Sequence, residues 1–236
     1  MNHSRTSQAS AGLAIEHAPV TIALDSVRLE GDLSVPSAAK GAVLFAHGSG
    51  SSRHSPRNRY VADVLNEGGL ATLLIDLLTM DEQQVDLQTA HLRFDIPFLA
   101  RRLEAIAEWL SIHPEVRDFP LGLFGASTGA GAALVVAAEL PQRVRAVVSR
   151  GGRPDLAGGA LARVKAPALL IVGGADPVVL DLNRKAMALL HCDKQLQIVP
   201  GASHLFEEPG ALQKVSMLAR DWFQEKLPTV PAVPVR

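Results

Sequence analysis

The chain carries one cysteine in 236 residues, Cys192. That excludes an intrachain disulfide and any cysteine metal cluster. Aromatic residues make up only 4%, poor material for platforms on which nucleobases stack. Neither sign of charge dominates. The 23 Lys and Arg against 24 Asp and Glu leave a formal net charge of −1, so no global basic field attracts nucleic acid. No apolar run approaches the ~18 residues of a membrane span, and residues 1–20 hold no apolar stretch of signal-peptide length. The eight histidines show no HExxH or other tight metal spacing. Nucleotide-binding glycine patterns are missing too. Gly48-Ser-Gly50 continues to Arg53, and Gly129-Ala-Gly131 continues to Leu134, where G-x-G-x-x-G requires a glycine. The expectation is a cytoplasmic protein with a small-molecule partner, without nucleic acid, membrane, metal or cofactor. A lone cysteine fits a reducing compartment.

Hydrophobic residues account for 47% and charged residues for 20%, enough apolar surface for a large core. β-rich runs occur at Ala42–Ala46, Ala71–Ile75, Leu121–Gly125, Ala146–Ser149, Ala168–Val172 and Gln195–Val199. Five of the six are nearly continuous apolar runs, the pattern of strands covered on both faces. Helical stretches lie between them. Leu92, Ile96, Leu99, Leu103, Ile106 and Leu110 predict one face of a long helix, and Leu212, Val215, Ala219 and Trp222 a second. This alternation implies an α/β fold, a mostly parallel twisted sheet with helices on both faces. Val20–Leu24 and Val27–Val35 lack an intervening helix and predict an antiparallel N-terminal edge. The expected boundaries are a tail over 1–17, one domain over 18–226, and a tail over 227–236 with three prolines. Only 18 residues separate Ser149 from Ala168, and Leu156–Val164 supplies just a short helix, so no large cap domain is expected. The polar stretch Thr79–His91 is the other candidate cover.

Gly125-Ala126-Ser127-Thr128-Gly129 follows an apolar run and precedes a helix of small residues. A strand-to-helix turn this sharp needs glycines, because a Cβ would clash. It lifts the Ser127 hydroxyl clear of the sheet at a helix N-terminus. The plainer reading is a helix start at which Ser127 or Thr128 is only a cap. A serine nucleophile needs a base. His204, just after the last β run, is the candidate. Asp176, just after the preceding run, is the candidate acid, with Asp181 in reserve. All three sit at C-terminal strand ends, where sites in open α/β sheets form. Each also has a bland alternative, since Asp-Pro begins turns and loop histidines are commonly just solvated. His47-Gly48-Ser49-Gly50 follows Ala42–Ala46 and can aim a backbone N–H at an oxyanion. The candidate donors are the N–H groups of Ser49 and Thr128, and a flexible Gly/Ser loop is the alternative. His47 is expected to be structural, bonding neighbouring loops.

The segments HGSGSSRHSPRN, GASTG, GGADP and GASHLF together resemble the α/β-hydrolase superfamily, and more closely its small dienelactone-hydrolase-like members. These include hydrolase domains fused to phosphoribosyltransferases. The resemblance spans about residues 18–225. It implies the α/β-hydrolase fold and a Ser127, Asp176, His204 triad with an acyl-enzyme intermediate. One position departs. Dienelactone hydrolases carry a cysteine at the elbow, and here Ser127 stands there, which favours general ester, lactone or thioester chemistry. Cys192 lies far away in a helix–strand connection and is expected to be inert. A non-catalytic ligand-binding protein on the same fold is the alternative. Arginines concentrate on two loops, Arg53, Arg57 and Arg59 after the glycine-rich loop, and Arg150 and Arg153 after Ala146–Ser149. Their planar forks suit carboxylate or phosphate, so Arg53 or Arg150 is expected to hold an anionic substrate group. The alternative is that Arg53 braces its loop.

Overall fold

The computed structural model describes residues 14–24 and 27–227; both expected tails lie largely outside these ranges. Among the described residues eight strands form one sheet. They are β1 (Ile15–Leu24), β2 (Val27–Pro36), β3 (Ala42–Ala46), β4 (Ala71–Ile75), β5 (Leu121–Ala126), β6 (Val144–Arg150), β7 (Ala168–Gly173) and β8 (Lys194–Val199). Their spatial order is β1-β2-β4-β3-β5-β6-β7-β8. β1 pairs antiparallel with β2, and β2 antiparallel with β4; from β4 to β8 every pairing is parallel. The continuous apolar runs are the interior strands, with every residue of β3, β4, β5 and β7 buried. The one run that lacked this pattern is β8, half-exposed and at the edge.

Among the described residues five α-helices lie between strands and a sixth follows β8: α1 (Pro56–Glu67), α2 (Met80–Thr89), α3 (Ile96–Ile112), α4 (Thr128–Glu139), α5 (Pro177–Leu189) and α6 (Ala211–Lys226). Two apolar clusters, one on each sheet face, form the core. α1 and α6 contribute Val61, Leu65, Val215, Trp222 and Phe223 to one. α3, α4 and α5 contribute Leu99, Leu103, Ile106, Leu134 and Ala186 to the other. The expected hydrolase-type sheet with its antiparallel N-terminal edge is therefore present. Between β6 and β7 lies only the 3-10 segment Pro154–Arg163, kinked at Gly158 (φ 51°), which packs beside α4. No multi-helix cap is inserted there.

Three boundaries differ from those expected, and the candidate cover takes a definite form. The domain starts before residue 18, because Ile15, Glu16 and His17 pair with Pro36, Val35 and Ser34. It extends past 226, because Leu227 is 2% exposed and packs in the core. The long helix does not begin at Leu92. Leu92–Phe94 is a separate 3-10 turn, and α3 starts at Ile96, where Asp95 Oδ1 accepts the Phe98 N–H at 3.0 Å. Pro97 sits in that first turn, where a missing N–H costs nothing. The stretch Thr79–His91 folds as α2. Thr79 Oγ1 accepts the Glu82 N–H at 3.2 Å and Glu82 Oε2 the Thr79 N–H at 2.8 Å, a reciprocal cap. Arg102 of α3 then grips both Glu82 oxygens at 2.6 Å. Burial works to raise the Glu82 pKa, but the Arg102 hydrogen bond and the Thr79 N–H overcome it and hold the carboxyl below its usual range.

Candidate active site

The turn from β5 into α4 allows no Cβ at two of its residues. A Cβ on Gly125 would lie 2.4 Å from Ala130 Cα, and one on Gly129 2.2 Å from Ala46 O. Between them Ser127 adopts φ 49°, ψ −122°, a region that side-chain-bearing residues rarely enter and that costs about 1–3 kcal/mol. The surroundings hold it there. Its N–H donates to Arg150 O at 3.3 Å, and its C=O accepts from Arg153 at 2.9 Å and Ala130 at 3.1 Å. The Ser127 side chain makes no capping bond to α4, which removes the helix-cap reading. Its hydroxyl is left to the cleft.

His204 and Asp176 come from adjacent loops that pass in contact. A Cβ on Gly173 would lie 2.3 Å from Ala202 O, and one on Gly151 (φ 51°) 3.0 Å from His204 O. His204 Nδ1 bonds Asp176 Oδ2 at 2.8 Å. Asp176 also caps α5, its Oδ1 accepting the Val179 N–H at 3.3 Å. The turn role and the partner role thus coexist, one per oxygen. Ser203 donates its N–H to Glu208 Oε1 at 2.9 Å, which fixes the base of the histidine loop. Asp181, the reserve acid, faces away and pairs with Lys185 at 2.7 Å within α5.

The expected oxyanion donors are only half available. The Ser49 N–H donates to Thr128 Oγ1 at 3.0 Å, and the two hydroxyls lie 3.1 Å apart. The Thr128 N–H belongs to the unsatisfied first turn of α4 and makes no bond among the described residues. His47 clamps this loop. Its Nε2 accepts the Leu77 N–H at 3.1 Å, so the proton sits on Nδ1, which donates to Gly48 O at 3.0 Å. Burial pushes the His47 pKa down and outweighs the Gly48 carbonyl and Asp76. α2 reaches this loop from behind. Gln83, Asp86 and Leu87 line a pocket with Gly48–Ser51 and Thr128. Neither Ser127 nor His204 lines this pocket.

Arg53 does not face the site. Its N–H donates to Asp76 Oδ1 at 2.7 Å, its guanidinium pairs with the same carboxylate, and its Nε lies 3.8 Å from Asp32. These contacts fit the alternative weighed for it, a brace of its loop, and Arg53 does not line the cleft that holds Ser127. Arg150 is different. It lines a cleft of about 420 Å³ together with Ser127, His204, Arg57, Ser51 and Ser55.

The sequence model of the dienelactone hydrolase family matches residues 33–226. The chain belongs to this family. A crystal structure described as a dienelactone hydrolase from Anabaena variabilis is 58% identical with a TM-score of 0.88, covering 90% of this chain and 99% of its own. Est1E from Butyrivibrio proteoclasticus shares the fold at 16% identity and a TM-score of 0.74, over 88% of this chain and 98% of its own. A Mycobacterium tuberculosis protein provisionally named a phosphoribosyl transferase is 57% identical over 208 residues. That match is 88% of this chain but 46% of the relative, so the chain spans less than half of that relative's length. Membership of the dienelactone hydrolase family supports hydrolase chemistry in this portion. Its cysteine is not at the elbow. Cys192 packs partly buried against the core, where burial pushes its thiol pKa up. Sequence reasoning passed over two features of this cleft. One is Asn58, 2% exposed and bonded to Arg150 across 92 residues. The other is the Thr128 hydroxyl on Ser49. The Ser55-Pro56 pair, a cap followed by proline at N1, was the signal that would have brought the start of α1 to the cleft.

Proposed function

We propose that the protein is a serine hydrolase of carboxylic esters, with Ser127 as nucleophile, His204 as base and Asp176 as the acid that orients it. Ser127 Oγ attacks the carbonyl carbon while His204 Nε2 takes its proton. The imidazolium then protonates the leaving alcohol, and an acyl-Ser127 intermediate remains. Water, deprotonated by His204, releases the acid and restores the serine. Asp176 keeps the Nδ1 proton in place and stabilises the cation. The Thr128 N–H is the first oxyanion donor, and Ser49 becomes the second when the Thr128 hydroxyl rotates away. Lactones and thioesters present the same electrophilic carbonyl and fall within the proposal.

The observation that carries this reading is the 2.8 Å bond between His204 and Asp176, made in the loops that border a serine at an uncapped, left-handed elbow. The transferase name belongs to relatives more than twice the matched length, and the hydrolase reading concerns the shared portion. A fluorophosphonate probe tests it. Wild-type protein becomes labelled at Ser127, and Ser127→Ala neither labels nor turns over nitrophenyl esters. A well-folded wild-type protein that resists the probe is a ligand-binding protein on this fold instead.

A further inference from the structure

The cleft beside Ser127 contains a cation without a counter-charge. Arg150 ends β6 and is 6% exposed. Its Nη2 donates to Asn58 Oδ1 at 2.9 Å, and its Nε has no partner. No carboxylate pairs with it among the described residues, whereas Arg53, Arg57, Arg59 and Arg153 each hold an acid. The charge acting on Arg150 has the same sign. Burial first, and then Arg57, bring its pKa down to about 10, which leaves it charged at neutral pH. A buried charge without a partner is costly, and a structural arginine would sit on a carboxylate.

A second guanidinium lines the same cleft beside that of Arg150. Arg57 is in the first turn of α1; its Nη1 pairs at 3.1 Å with Glu207, whose side chain is 63% exposed, and its Nε is buried without a partner. α1 begins there with Ser55 as cap, Pro56 next and no acidic residue in the first turn, so the positive end of its dipole adds to the field.

We propose that this wall binds a phosphate group of the substrate, remote from the ester bond, with Arg150 and Arg57 as its two guanidinium ligands. Which bond is cut rests on the ester-hydrolase reading above. Glu207, 63% exposed, yields Arg57 to the ligand and turns into water, so that a phosphate dianion offsets both guanidinium charges, and its tetrahedral oxygens meet donors arriving from the end of β6 and from the start of α1. A carboxylate offsets one charge and presents one planar edge. Only the ester C–O bond breaks. Water supplies hydroxide to the acyl carbon and a proton to the alkoxide, and the P–O bonds are untouched.

Two measurements test this, the first without turnover. Binding of 3-phosphonopropionate is followed by calorimetry on Ser127→Ala protein. Saturable binding is expected, weakened roughly ten- to a hundredfold by adding Arg57→Gln or Arg150→Met. Circular dichroism reports folding, and if Arg150→Met does not fold, the partly exposed Arg57 decides alone. The second is the ratio of kcat/KM for 4-nitrophenyl 3-phosphonopropionate to that for the butanoate. It is expected to be at least about tenfold with Ser127 intact and to fall toward one in Arg57→Gln. Absent binding, or binding unchanged by Arg57→Gln, overturns the proposal. So does tighter binding of succinate than of 3-phosphonopropionate, which marks a carboxylate site. If 3-phosphonopropionate binds as expected while no ester is turned over, the hydrolase reading fails and the phosphate site stands.

Discussion

The strained backbone at Ser127, the proposed nucleophile, predicts an unusual ranking of two variants. Ser127→Ala keeps a Cβ at φ 49°, ψ −122° and therefore keeps the backbone strain. It loses a hydroxyl that makes no hydrogen bond among the described residues, so its stability should match the wild type within a few tenths of a kcal/mol. Ser127→Gly relieves the conformation, recovering about 1–3 kcal/mol. Against this stands the extra freedom glycine gives the unfolded chain, roughly 0.4–1 kcal/mol. The net is about 1 kcal/mol in favour of Ser127→Gly over Ser127→Ala, or roughly 2–4 °C in Tm for a chain of this size. Both variants should be dead towards nitrophenyl esters. Calorimetric melting and urea titration of the three proteins measure the ranking. A Ser127→Gly protein that melts at or below Ser127→Ala would show that the elbow stores no strain, and the argument for a forced hydroxyl would fall.

Two further outcomes follow from the hydrogen bonds around the site. Asp176→Asn should cut kcat by about 10³–10⁴, as loss of the orienting acid does elsewhere, while α5 stays capped because asparagine caps as well as aspartate; steady-state kinetics beside circular dichroism separate the two. His47 is buried and neutral with its pKa pushed down, so the unfolded chain takes up its proton first as pH falls. The stability it contributes is full above its ordinary value of about 6.5 and is lost as pH drops toward the folded value. The urea midpoint should therefore fall from pH 7.5 to pH 5, and by less in His47→Gln, which carries no titrating ring.

Much of this was legible in the chain because it is local. Gly125 and Gly129 announce the elbow through what a Cβ would strike. The interior strands announce themselves by unbroken apolar runs, and β8 betrays its edge position by breaking the pattern. The first half of β1 was not legible. Ile15, Glu16 and His17 alternate weakly, and what orders them is a ladder to Ser34–Pro36. α2 hid in a polar sequence with a weak apolar stripe, although Thr79 and Glu82 spell its reciprocal cap. The arginines were hardest. Arg53 and Arg150 look equivalent in sequence, and only the carboxylates of Asp76 and Asp32, 23 and 21 positions away, distinguish a brace from a free cation. The Ser49–Thr128 bond joins residues 79 apart and leaves no mark on either segment.

The two oxygens of Asp176 tie the working of the site to the integrity of one helix end. Oδ1 fastens the first turn of α5 and Oδ2 steadies His204, so a carboxylate that swings away releases both at once. Helix termini fray before cores melt. On warming, the first turn of α5 is then expected to act as a fuse: the imidazole should lose its bearing while the sheet beneath is intact, so that the proposed ester hydrolysis should fail below the temperature of global melting and return on cooling, which activity measured beside circular dichroism through a heating cycle checks.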